Sequence, residues 1–169
     1  MSRIPPIKPG ISPATAPVEQ RLMAARGEVS HLYRVLLNSP AAADGWEHFL
    51  TIVRQRLSLS PRLRELIILR IAVFNKAPYE FESHVPHALN AGLGEAQIAA
   101  LRNCRTDGLD DTDCLVLELT DAMTRDVRVD DALFARVAAN FDKAGLVDLI
   151  VTIAAYNMVS RFLGAAGIE

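Results

Sequence analysis

From residue 18 onward, apolar residues recur every three or four positions, while strict apolar–polar alternation is nearly absent. That periodicity predicts helices and no sheet. It resolves into helices at 18–38, 41–57, 61–76, 78–91, 95–104, 111–126, 131–141 and 145–164. The separators "NSP", "SLSP", "KAP", "AGLG", "RTDGLDD", "RVDD" and "DKAG" are helix-boundary chemistry. Ser60 before Pro61 is a good N-cap followed by proline at the first helical position, whereas Ala77 before Pro78 is a poorer cap. The fold class is therefore all-α, with about seven or eight helices.

Residues 1–17 hold five of the nine prolines and show no periodicity. They read as an extended arm, loosely attached or laid across a neighbouring subunit. Residues 18–169 then form a single helical domain. The segment "PRLRELIILRIAVFNK" is apolar almost all round, as expected of a central helix covered on several sides. Glu65 lies inside it, beside Ile68, Leu69 and Ala72. A carboxylate buried there must be paired or have a raised pKa, and a salt bridge to Arg62 or Arg70 is the plain alternative.

Further along, "PYEFESHVPHAL" places Glu80, His84 and His87 within a sector of about 60° on one helix face. Phe81, Val85, Ala88 and Leu89 take the opposite side. Glu80 and His84, one turn apart, can hydrogen-bond directly, which orients the ring and raises its basicity. Three readings stay open on these residues: an exposed polar face, a metal site, and a proton-transfer site. The metal reading is disfavoured because three ligands at this spacing spread over about 10 Å of helix axis.

Composition narrows the setting. Half the residues are hydrophobic and the net charge is -2. That balance gives no general electrostatic reason to bind nucleic acid or an anionic membrane. The N-terminal stretch has no apolar signal-peptide core, and the most apolar runs are interrupted by Arg70 and Asp148, so no membrane span and a cytoplasmic location are expected. Cys104 and Cys114 are spaced neither as a CxxC redox pair nor as a zinc half-site.

The stretch "LSLSPRLRELIILRIAVFNKAPYEFESHVPHALNAGLGEAQIAAL", followed by "GLVDLIVTIAAYNMVSRFLGAAGIE", resembles the carboxymuconolactone decarboxylase family, which includes the alkyl hydroperoxidase D-like proteins. The resemblance implies an all-helical fold that assembles as a homo-oligomer, a trimer or hexamer. In the peroxidase branch, a glutamate, a CxxC and a histidine four residues later act together. Laid on this chain, those positions fall on Glu65, Ala77, Glu80 and His84. The carboxylate and imidazole are present, but both sulfurs are absent, and dithiol peroxide reduction needs a thiolate and a resolving thiol.

The sequence thus looks like a cysteine-free branch. What the resemblance implies is acid–base chemistry of decarboxylase or lyase type on a small organic acid or lactone, with no metal and no cofactor. Glu80, His84 and Glu65 are the candidate catalytic residues. His87, Tyr79, Arg161 and Arg70 are candidates for substrate binding, the two arginines as carboxylate anchors. A peroxidase-type antioxidant role and a non-catalytic small-molecule-binding oligomer are the alternatives.

Overall fold

The computed structural model describes residues 2–169, and within them the chain forms nine α-helices and no strand. They are α1 (Ala16–Arg26), α2 (His31–Leu36), α3 (Pro40–Gln55), α4 (Pro61–Phe74), α5 (Pro78–Asn90), α6 (Glu95–Arg102), α7 (Asp111–Arg125), α8 (Asp131–Ala138) and α9 (Lys143–Ala166).

The Ser60 cap forms as its sequence suggests, its hydroxyl accepting from the Leu63 N–H at 3.2 Å, with Pro61 opening the helix. Asp110, Asp130 and Asp142 cap α7, α8 and α9 in the same way. Each cap satisfies a backbone donor that the helix itself leaves unpaired.

α4 is the central helix. Every residue from Glu65 to Ala72 is buried, and the helix packs against α5, α6, α7 and α9. Leu66, Ile67, Ile68, Leu69 and Ile71 are wholly covered, and each such side chain contributes about 1.5–3 kcal/mol relative to exposure. One face of α4 joins Val53, Val116, Leu119 and Ile153 in the main core, and the other meets Phe81, Ala88, Leu101 and Leu117. A third cluster, with Leu22, Tyr33, Leu37 and Ala43, ties α1 and α2 to α3.

The single helix expected over 18–38 is instead two. Gly27 takes a left-handed conformation at φ 76° and caps α1, and α2 starts after Ser30. Glycine adopts that conformation without the steric penalty that other residues meet. The break turns the segment between α1 and α2 toward α3 and α5, where it walls the cavity described below.

Residues 2–15 lie along the chain's own helices. Arg3 N–H donates to the Ala166 carbonyl at 2.7 Å, Ile7 N–H to Arg34 at 2.8 Å, and the Asn38 amide to Pro5 at 2.9 Å. Gly167, left-handed at φ 66°, lets Arg3 approach: a β-carbon there would lie 3.2 Å from the Arg3 side chain. α9 is long and apolar enough to cross a bilayer by length and composition, and half of that stretch is buried inside the helical domain.

Candidate functional site

α4 and α5 together build a polar pair in an apolar setting. Glu65, 1% exposed on α4, faces His84 on α5, and His84 Nδ1 lies 2.6 Å from Glu65 Oε2. On its other side Glu65 Oε1 is 3.4 Å from Arg64 Nε. Burial pushes the Glu65 carboxyl upward, but the hydrogen bond from His84 and the charges of Arg54 and Arg64 outweigh it and hold the pKa below the usual value. For His84 burial is the largest influence and lowers its pKa, with Glu65 opposing and Arg54 and His87 reinforcing. The pair is therefore a carboxylate against a neutral imidazole. A carboxylate only accepts, so Nδ1 carries the proton and donates, and Nε2 is left as a lone-pair acceptor.

This corrects the sequence-based pairing. The expected hydrogen bond between Glu80 and His84 is not made. His84 Nδ1 is taken by the Glu65 carboxylate on α4, and Glu80 is left without a partner among the described residues. Nor does Glu65 pair with Arg62 or Arg70. Arg62 forms a two-pronged bond to Asp113 at 2.7 and 2.6 Å, and Arg70 does the same with Asp121.

Glu80 sits in the first turn of α5, 2% exposed, and neither carboxyl oxygen has a hydrogen-bond partner among the described residues. Burial alone lifts its pKa well above the ordinary carboxylate range. Burial in that setting favours the protonated, uncharged carboxyl, the form that can donate a proton.

Glu80 and His84 line a cavity of about 520 Å³. Tyr79, Ser83 and His87 of α5 line it as well, and the His87 ring is 5.6 Å from that of His84. α3 supplies Trp46, Leu50 and Arg54, α4 supplies Arg64, and α9 supplies Tyr156, Val159 and Leu163. The opposite wall comes from the residues between Ala25 and Tyr33. Glu80 and His84 are thus not an exposed polar face. The hydrophilic side of α5 turns inward because an internal space, not solvent, lies beside it. No cluster of three His, Cys, Asp or Glu among the described residues is placed to hold a metal ion.

Tyr156 packs edge-on against His84, with ring centroids 5.5 Å apart. Its hydroxyl is buried with no partner among the described residues, and burial raises its pKa far above normal. Six buried side-chain polar atoms have no partner among the described residues. Five belong to cavity-lining residues: Arg26 Nε, Trp46 Nε1, both Glu80 oxygens and the Tyr156 hydroxyl. Unpaired buried polar atoms are costly. These five atoms gather around one space, where a polar partner would satisfy them.

The two arginines expected to anchor a carboxylate, Arg70 and Arg161, are not at this cavity. Arg70 is held by Asp121 and stacks on Phe74, and Arg161 donates to the Asn157 side chain at 3.0 Å. Each follows a site residue (Glu65, Tyr156) by five positions, about 140° around the helix, which turns it to another face. The cavity's cations are Arg26, Arg54 and Arg64. Arg54 had one legible signal: no acidic residue stands three or four positions to either side of it. Ala77, where a thiol would stand in the peroxidase pattern, is buried, and neither Cys104 nor Cys114 lines the cavity.

Residues 40–110 match the carboxymuconolactone decarboxylase family. A comparison with curated proteins finds no match. Among solved structures, an uncharacterized peroxidase-related protein from Silicibacter sp. TM1040 is similar with a TM-score of 0.84 and 18% identity, covering 99% of this chain and 89% of its own. A putative antioxidant defence protein AhpD from Agrobacterium tumefaciens has a TM-score of 0.73 and 23% identity over 79% of this chain and 92% of its own. A cysteine-to-alanine variant of the debrominase Bmp8, in complex with 2,3,4-tribromopyrrole, has a TM-score of 0.83 and 13% identity over 100% and 91%. At these identities the likeness is one of fold.

Proposed function

We propose, from the match of residues 40–110 to the carboxymuconolactone decarboxylase family, that the chain is a member of that family and an acid–base enzyme of decarboxylase or lyase type acting on a small organic acid or lactone. One observation carries the reading: His84 is locked by Glu65 through Nδ1 and keeps Nε2 free beside a cavity that also holds the buried Glu80 carboxyl.

Each residue has a role that its surroundings fit. His84 Nε2 takes a proton from a carbon next to a carbonyl or carboxylate and later returns it to the same molecule, and the Glu65 carboxylate stabilises the imidazolium in between. Glu80 acts as the acid. When carbon dioxide leaves, the electron pair left on carbon takes the Glu80 proton, and water at the cavity mouth restores it. Tyr156 offers a hydroxyl to a developing enolate oxygen. His87 and Tyr79 border the bound molecule. The sequence expectation makes His84 the acid with Glu80 tuning it; in this division of labour Glu80 is the acid, and Glu65 tunes His84.

A thiol peroxidase has less support, because the cavity contains no sulfur nucleophile. The debrominase of the same fold is in complex with a small ring compound, which agrees with a cavity of this size receiving a small molecule. The test is a turnover screen of small carboxylic acids and lactones. His84→Asn is expected to lower the rate by about 10²–10⁴-fold, and replacing both cysteines by serine to leave it unchanged. Hydroperoxide turnover with a dithiol donor that disappears in the double serine variant would overturn the proposal.

A further inference from the structure

Arg54 is the cavity's uncommitted cation. Its backbone carbonyl accepts from Arg64 Nη1 at 2.8 Å, but its guanidinium makes no hydrogen bond or ion pair among the described residues. It stands within electrostatic reach of Glu65, His84 and Tyr156, since its charge acts on all three. A half-buried guanidinium with no partner and five donors is an oxyanion site awaiting its ion.

Arg26 reaches the same place from another element. Its Nη2 lies 3.4 Å from Thr51 Oγ1, one helical turn before Arg54, and its buried Nε has no partner among the described residues. Arg64 is different, being engaged by Glu65 and by the Arg54 carbonyl. The lining charges can be counted. Of the three lining arginines, Arg64 is paired with Glu65 behind the wall and the exposed Glu28 offsets a second, which leaves one positive charge uncompensated, while burial shifts the Glu80 carboxyl toward its uncharged form. Tyr33, Trp46, Tyr79 and Tyr156 supply flat apolar walls.

Resting on the reading of His84 and Glu80 as the reacting groups, we propose that Arg54, with Arg26 beside it, holds the anionic end of the substrate, and that the substrate is a small flat monoanion. Arg26 precedes residues 40–110, so this half of the anchor lies outside the segment that matches the family. The N-terminal wall thereby sets which anion enters.

Calorimetric titration with benzoate, its neutral isostere benzamide and the dianion phthalate tests this without turnover. Wild type binds benzoate at least about tenfold more tightly than benzamide, the worth of one charge-assisted hydrogen bond, and phthalate no more tightly than benzoate. Arg54→Met loses that preference, about tenfold to hundredfold in benzoate affinity. Arg54→Lys, which keeps the charge but not the fork, retains part of it and serves if the methionine variant fails to fold. Arg161→Met keeps it in full. No benzoate preference in wild type, a preference that survives Arg54→Met, or one that is lost in Arg161→Met overturns the assignment. A chain that shows Arg54-dependent benzoate binding yet turns over no acid or lactone removes the acid–base reading alone.

Discussion

The Glu80 carboxyl has a direct thermodynamic signature. An unfolded glutamate titrates at about 4.3, whereas burial without any partner lifts this group well above that value in the folded chain. Between the two pKa values the folded state holds a proton that the unfolded state has lost. Stability from this group is therefore fully present below the unfolded pKa and is lost as pH rises through the folded one. The limiting slope is about 1.4 kcal/mol per pH unit. Glu80→Gln preserves shape but never titrates, so the variant lacks this slope. Its stability relative to wild type should rise with pH, by up to about 2.7 kcal/mol between about pH 5 and about pH 7, if both lie in the window. Contributions common to both proteins, including the Glu65–His84 pair, cancel in the difference. Urea unfolding at several pH values measures it, with equal m-values confirming that the unfolded ensembles match. A difference independent of pH would mean a Glu80 pKa unchanged by folding, and wild type gaining on the variant as pH rises would mean a Glu80 carboxylate paired and ionised in the fold; either would refute the reasoning.

Arg62→Ala should cost about 3 kcal/mol or more in urea unfolding, since it strands the Asp113 carboxylate, 2% exposed, without its two-pronged partner. Tyr156→Phe should leave unfolding stability unchanged or raise it by up to about 1 kcal/mol, because the lost hydroxyl has no partner among the described residues. A loss of stability well beyond that would show the hydroxyl to be bonded in the folded protein.

Much of the fold was legible because it is a matter of local chemistry. Ser60-Pro61 announced the start of α4, and the segment behind it, apolar almost all round, announced a helix covered on several sides. The break between α1 and α2 was missed although its signals were there. Gly27 is the residue a left-handed cap wants, and Ser30 stands where the next helix begins. Periodicity carries across so short an interruption, so the pattern alone reads as one helix.

The site divides along the same line. Sequence determined which chemistry is carried: Glu80 and His84 share a face of α5 because four residues make about one turn, and Glu65 had to find a partner once α4 was buried. Tertiary structure decided who pairs with whom. The distance between two packed helices, not the spacing along either, brought Glu65 to His84 and left Glu80 alone with its proton. It also chose the cations, turning Arg70 and Arg161 toward other partners and bringing Arg26 and Arg54 to the cavity from α1 and α3. Periodicity reports the direction of a side chain from its own helix axis, and it carries no information about what a neighbouring helix presents there.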